Sequence, residues 1–120
     1  MNPLFTVEGV VGTGEGKGRL LGFPTANIPA PDFVPNGIFA GEVLWNNATY
    51  PAALFKDQHK KILEAYLLDF SGELYGEKIT VIGYQKIRGV KRFASDEELM
   101  NAITQDIGDI RSCLQELSQK

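Results

Sequence analysis

Short apolar runs fill the first 87 residues and are broken by clusters of glycine, proline and asparagine. Runs rich in β-branched and aromatic residues between such turn signals predict strands. The runs of this kind are 4–12, 38–45, 50–55, 62–70 and 77–87. Periodicity alone leaves 62–70 open as strand or helix, but the turn sequence SGELYG that follows it favours a hairpin into 77–87.

The segment 24–36 differs from these runs because it carries four prolines. Proline lacks the backbone N–H that a sheet ladder needs, so we expect an extended, ordered connection here. The Asn36–Gly37 pair that ends the segment is a turn signal before the next strand.

The last quarter of the chain changes to a helical period. Ser95 followed by Glu98 has capping-box spacing. Apolar residues then recur at steps of three and four, namely Leu99, Ile103, Ile107, Ile110, Leu114 and Leu117. They form one stripe of an amphipathic helix, which we expect to cover the sheet. About six short strands with no helices between them predict an antiparallel barrel rather than a parallel sheet.

The chain of 120 residues fits one domain, residues 1–120, and we expect a monomer. A net charge of −3 gives no electrostatic reason to expect a nucleic acid or an anionic membrane as partner. The single cysteine, Cys113, forms no disulfide within the chain, and its place in a helical pattern indicates a small core or half-buried side chain. No secretory leader is apparent at the N-terminus, so a cytoplasmic location is expected.

The glycine-rich segment "GEGKGR" offers the first candidate chemistry. Gly14, Gly16 and Gly18 leave the backbone bare, so several N–H groups can converge on phosphate oxygens, with Lys17 and Arg19 adding positive charge. No Gly-Lys-Ser/Thr closes the segment, so it is not a P-loop. A flexible hairpin is the alternative interpretation.

Thr25 and Asn27 in the following "PTAN" offer neutral oxygen atoms, which suit magnesium when a nucleotide supplies the negative charge. They are two residues apart, so in an extended segment they face the same way. A proline turn whose Thr and Asn bond only local backbone is the alternative.

Glu64 lies in the apolar run "ILEAYLLDF" and is either a surface residue or a general base for an alcohol. His59, in the polar stretch 56–61, is expected to be solvated.

Together these segments resemble the riboflavin kinase, or flavokinase, family. The residues that carry the resemblance are "GEGKGRLLGFPTAN", "NGIFAGEV", "LEAYLLDFSGELYG" and "IRGVKRFASDEEL", in the family's order over about residues 5–115. The glycine loop running into Pro-Thr-Ala-Asn is the most specific of them.

The resemblance implies a closed six-stranded Greek-key barrel with a C-terminal helix, and transfer of the ATP γ-phosphoryl group to the 5′-hydroxyl of riboflavin. It implies Mg²⁺ at Thr25 and Asn27 and a general base at Glu64. The ATP-binding positions it implies are Gly14, Gly16, Lys17, Gly18, Arg19, Thr25, Leu67, Asp69 and Tyr75. The flavin-binding positions are Arg88, Lys91 and Phe93.

Departures from the family pattern fall on the flavin side. Ala65 and Tyr66 replace a common Thr-His, Val90 stands where an acidic residue is frequent, and the segment 56–61 is short. They leave open a catalytically inactive flavin- or nucleotide-binding module, or a kinase of a different small alcohol. Many bacterial relatives carry an N-terminal adenylyltransferase domain that makes FAD. Because the sequence begins at the kinase segment, FAD synthesis is not expected from it.

Overall fold

The sheet accounts for most of the chain. The computed structural model describes residues 2–13 and 22–119, and within them six strands pair into one antiparallel sheet ordered β1–β6–β3–β4–β5–β2. The strands are β1 (Phe5–Val10), β2 (Ala26–Pro29), β3 (Gly37–Trp45), β4 (Ala48–Lys56), β5 (Ile62–Leu67) and β6 (Lys78–Arg88). One helix follows them, α1 (Asp96–Ser118).

The sheet curls into a nearly closed barrel, because its two outer strands, β1 and β2, meet at an isolated bridge between Gly12 and Asn27. The Gly12 N–H donates to the Asn27 carbonyl at 2.8 Å. Four of the strands, in the spatial order β6–β3–β4–β5, have the arrangement of a Greek key. The predicted antiparallel barrel with a C-terminal helix is confirmed.

Two connections, β3–β4 and β5–β6, differ in kind. The β3–β4 turn places Asn46 and Asn47 at φ 51° and 63°, the left-handed conformations that a two-residue hairpin turn requires. The hairpin predicted after residue 70 is wrong, because β5 pairs with β4 and β2 while β6 pairs with β1 and β3. The intervening chain instead crosses one end of the barrel, where Leu68 and Leu74 are buried.

The proline-rich segment contains a strand that the sequence did not reveal as one. Ala26–Pro29 pairs with β5, and the fourth residue, Pro29, ends the strand. Because β2 is an outer strand, a proline at its end removes no central ladder bond.

Two apolar layers hold the structure together. The barrel interior is filled by side chains from all six strands, including Phe39, Leu54, Leu63 and Val81. A second layer lies on the outer face, where α1 packs on the sheet through Ile110 and Cys113 against Ile38 and Ala40. Burial raises the pKa of the Cys113 thiol, as expected for a structural cysteine.

The helix begins as predicted. Ser95 is its N-cap and accepts a hydrogen bond from the Glu98 N–H at 3.2 Å, while the Glu98 carboxylate accepts from the Ala94 N–H at 3.0 Å. All six stripe residues are buried or half-buried, whereas Met100, off the stripe, is exposed.

Substitution of glycine by alanine is expected to change stability in opposite directions at two positions. A Cβ at Gly41 would lie 2.2 Å from the Ile82 carbonyl oxygen and 2.5 Å from Leu54 Cδ1, so we expect Gly41→Ala to destabilise by about 3 kcal/mol or more. Gly108 lies within the helix with nothing within 4 Å of such a Cβ, so Gly108→Ala should stabilise by about 1 kcal/mol. Urea unfolding of both variants measures this. Equal midpoints would contradict the close strand contact at Gly41.

Candidate active site

A row of three side chains crosses neighbouring strands on the outer face of the barrel. The pairing register sets Glu64 of β5 opposite Asn27 of β2 on one side and Phe55 of β4 on the other. Leu63 and Ala65, which flank Glu64, point into the interior core. Because strand side chains alternate, Glu64 must point outward, next to Asn27.

Thr25 and Asn27 lie together at the end of this row. The Thr25 hydroxyl donates to Asn27 Oδ1 at 3.4 Å, and the Asn27 side chain is buried. Adjacent ligand oxygens of an octahedral magnesium ion lie about 2.9 Å apart when its bonds are ~2.0–2.1 Å. The two neutral oxygens, 3.4 Å apart and with a carboxylate on the next strand, are of the type that magnesium accepts, although their separation exceeds that of adjacent ligands. In residues 2–13 and 22–119, no three His, Cys, Asp or Glu side chains are grouped as ligands for a metal.

Glu64 and Thr25 line a cavity of about 260 Å³ between the sheet and the N-terminal half of α1, here called the central cavity. Its floor includes Phe55 and Tyr66, and Ile103 belongs to its helical wall. Most of its lining is apolar, which is typical of small-molecule sites. The predicted flavin-side residues Arg88, Lys91 and Phe93 also line it. Thr25, Glu64 and these three residues are thus brought together around one space.

Arg88 joins the sheet to the helix at the edge of this cavity. Its Nε and Nη2 donate to the two carboxylate oxygens of Asp106 at 2.9 and 2.8 Å. The Phe93 ring lies against the same guanidinium, 5.7 Å from ring centroid to Cζ. Asp106 is 7% exposed, so this is a shielded, bidentate pair that fixes Arg88 in the cavity wall.

The central cavity continues into a wider groove formed by residues 89–96 and the 57–59 turn. This outer groove has a volume of about 770 Å³ and shares Phe55, Lys91, Phe93 and Leu99 with the central cavity. Val90 is exposed in it, and His59 lies there, exposed as expected. The outer groove and the central cavity therefore adjoin along these shared residues.

A third space, of about 310 Å³, adjoins the site on the opposite side, at the loop 70–74. Thr25 and Tyr66 line both this space, here called the loop-side cavity, and the central cavity. Tyr66 makes an edge-to-face contact with Phe23 at a centroid distance of 5.6 Å. This aromatic pair therefore stands between the two spaces.

The predicted ATP-binding residues on β5 and after it do not all line one cavity. Leu67 lines the loop-side cavity. Asp69 instead forms a bidentate pair with Arg111 of α1, both distances being 2.9 Å, and that guanidinium lowers the pKa of the Asp69 carboxyl. Tyr75 is 60% exposed and lines neither cavity. Gly14, Gly16, Lys17, Gly18 and Arg19 lie outside the described residues.

Sequence reasoning missed Asp106, Phe23 and Lys56. Asp106 sits in the helix among other acidic residues, and no local signal separates it from a solvated one. Lys56 was included in the polar stretch 56–61, but it is the last residue of β4 and is 7% exposed, and its ammonium donates to Asn36 and to the Asp57 carbonyl.

The fold and this site define a nearly closed antiparallel barrel with a helix-roofed cavity on its outer face. A family model described as riboflavin kinase (flavokinase) matches residues 1–114. The chain belongs to the riboflavin kinase family.

Curated relatives agree with this family. The chain is 39% identical over 114 residues to the bifunctional riboflavin kinase/FMN adenylyltransferase of Escherichia coli (strain K12), covering 85% of this chain and 36% of that protein. It is 34% identical over 115 residues to the enzyme of the same name from Buchnera aphidicola (subsp. Acyrthosiphon pisum), covering 87% and 37%. The chain therefore spans little more than a third of the length of these curated relatives.

Among solved structures, riboflavin kinase from Trypanosoma brucei superposes with a TM-score of 0.71 at 26% identity, covering 92% of this chain and 76% of that one. A crystal structure described as a macrolide-efflux protein from Streptococcus pneumoniae gives a TM-score of 0.79 at 26% identity, covering 91% and 38%. In the part of the chain that the structure describes, no helix has the length and apolar character needed to cross a bilayer.

The Arg88–Asp106 pair generates a stability prediction. Asp106→Asn removes the charge and one of two acceptors, leaving a partly buried guanidinium without its counter-ion, so we expect a loss of about 2–4 kcal/mol. Asp109→Asn, on the exposed side of the same helix, is the matched control and should change stability by less than about 0.5 kcal/mol. Urea unfolding followed by circular dichroism measures both. Indistinguishable midpoints would mean that the pair does not hold the helix to the sheet.

Proposed function

We propose that this chain is a riboflavin kinase that transfers the γ-phosphoryl group of ATP to the 5′-hydroxyl of riboflavin, giving FMN and ADP. The observation that carries the proposal is the register of β2 against β5, which sets Glu64 directly beside Asn27 at the end of a cavity that Thr25 also lines. The Glu64 side chain and Thr25 thus line one small space, and Asn27 lies beside Glu64 on the adjacent strand. Membership of the riboflavin kinase family supports the same reaction.

In the proposed reaction the riboflavin 5′-oxygen attacks the γ-phosphorus. One new O–P bond forms, the bond from the γ-phosphorus to the β,γ-bridging oxygen breaks, and the hydroxyl proton passes to the Glu64 carboxylate. Glu64 is suited to this because it is half-buried on a rigid central part of β5, held between β4 and β2. A positioned general base contributes about 10²–10⁴-fold in rate.

The nucleotide side is proposed to lie at Thr25, Asn27 and the loop-side cavity. Thr25 and Asn27 would hold a magnesium ion, which when bound offsets the charge on the phosphate oxygens. Gly14, Gly16, Lys17, Gly18 and Arg19 would surround the same phosphates. Leu67 lines the cavity where the nucleotide would lie, whereas Asp69 and Tyr75 would need to act from outside it.

The flavin side is proposed to extend from the central cavity into the outer groove. The ribityl chain would lie in the narrow central cavity, with its terminal hydroxyl toward Glu64. The isoalloxazine would lie in the groove against Phe93, with Lys91 beside it. Arg88 has both of its carboxylate-facing nitrogens engaged by Asp106, so its part is to shape the wall and orient Phe93.

A kinase of a different small alcohol is the second candidate, and Tyr66 favours it. Its ring occupies the wall between the two cavities and packs on Phe23, which restricts the space near Glu64. Incubation with riboflavin, ATP and magnesium, followed by chromatography for FMN, separates the candidates. FMN formation supports riboflavin as acceptor, and ATP consumption with another alcohol but not with riboflavin supports the second candidate.

Glu64→Gln keeps the size and hydrogen-bonding shape of the side chain but removes its basicity. We expect FMN formation to fall by about 10²–10⁴-fold while riboflavin binding, followed by quenching of flavin fluorescence, is retained. Glu8→Gln is the matched control, since Glu8 is exposed on β1 and pairs with Lys78 away from the cavity. Near wild-type FMN production by the Glu64 variant would remove this carboxylate from the mechanism.

Thr25→Ala and Asn27→Ala remove the two neutral oxygens. We expect each to raise the KM for magnesium-ATP by about tenfold or more while changing riboflavin affinity little. Thr49→Ala, at an exposed position of β4, controls for loss of a strand threonine. The metal assignment would be refuted by equal losses for both ligands, measured by steady-state kinetics against each substrate.

A further inference from the structure

The strongest unassigned feature is a cavity of about 360 Å³ between the β2–β3 connection and the end of β4, here called the lysine cavity. Three lysines line it, Lys56, Lys60 and Lys61, together with the amides of Asn36 and Gln58 and one acidic residue, Asp32. The lining therefore has an excess of positive charge, although the chain as a whole carries a net charge of −3.

Lys56 is the unusual member of this set, because it is 7% exposed. Charged side chains are almost never this buried unless paired. Its Nζ donates to Asn36 Oδ1 at 3.3 Å and to the Asp57 carbonyl oxygen at 2.6 Å, and both acceptors are neutral. An ammonium has three N–H donors, so one more remains for an acceptor in the space that Lys56 lines.

The neighbouring amide strengthens this donor set. Asn36 uses its Oδ1 to accept from Lys56, which leaves its NH₂ group for other partners. The ammonium of Lys61, an exposed side chain, reaches the same space. Ammonium and amide N–H groups are all donors, so the complementary ligand is an acceptor-only anion. Lysine ammonium groups bind phosphate as point charges.

We propose that the lysine cavity is a binding site for a phosphate-class anion, either inorganic phosphate or the phosphate of a small monoester. The bound anion would offset the desolvated charge of Lys56 and accept from Asn36 and Lys61. Asp32 is the one acidic residue of the lining and is exposed to solvent. Lys60 lines both this cavity and the central cavity, so the two spaces adjoin. The proposal rests on the proposed function only where it distinguishes this site from the nucleotide site.

Isothermal titration calorimetry with inorganic phosphate and with glycerol 2-phosphate, at fixed low ionic strength, tests the site. We expect saturable binding of at least one probe at one site per chain, and Lys56→Met should weaken it by about tenfold or more. Lys78→Met removes the same charge from an exposed position on β6 and should leave binding unchanged. Tighter binding of glycerol 2-phosphate would assign the site to an organic phosphate, and tighter binding of inorganic phosphate to the free anion.

Two further measurements complete the test, one with a second variant and one with a competing nucleotide. Lys61→Met alters an exposed side chain, so it carries the test if Lys56→Met fails to fold, and it should weaken binding several-fold. Saturating ADP and magnesium should leave the binding intact, because the nucleotide phosphates are proposed to lie at the other end of the central cavity. The proposal would be overturned by absence of saturable binding, by equal affinity of the Lys56 and Lys78 variants, or by complete competition from ADP and magnesium.

Discussion

The ion pair between Arg88 at the end of β6 and Asp106 in α1 fixes how the helix lies over the barrel. On its C-terminal side, Ile110 and Cys113 pack tightly on the sheet. On its N-terminal side, Ile103 faces a cavity instead of a packed layer. A buried ion pair rarely adds net stability over apolar packing. We therefore interpret this one as a positional device that determines where the first half of the helix lies on the sheet.

The second constraint is the two-residue period of the strands, which assigns Glu64 to the cavity side. Leu63 and Ala65 are fully buried inside the barrel, so Glu64 can only point to the face that the helix covers. This much follows from the sequence once β5 is recognised as a strand. The helix could likewise be predicted from its cap and its apolar stripe, because both signals are local.

The features that could not be predicted depend on contacts distant in sequence. The pairing of β5 with β2 brings Asn27 beside Glu64 across 37 residues, and nothing in the sequence of either segment identifies its partner strand. The hairpin expected after residue 70 was wrong because burial of Leu74 carries the chain across the barrel end. Asp69 and Arg111 likewise meet across 42 residues. From the sequence alone Lys56 is expected to be a solvated lysine, because its contact with Asn36 is visible only in the structure.

Asn27 has two roles, one through its backbone carbonyl in the bridge to Gly12 and one through its side chain. The Asn27 carbonyl oxygen closes the barrel by accepting from Gly12, while its side chain faces Thr25. Ordering of the Asn27 side chain and closure of the β1–β2 junction are consequently linked in free energy, so that whatever favours one favours the other. The solvent exchange rate of a single backbone amide, that of Gly12, then reports on the ordering of the Asn27 side chain.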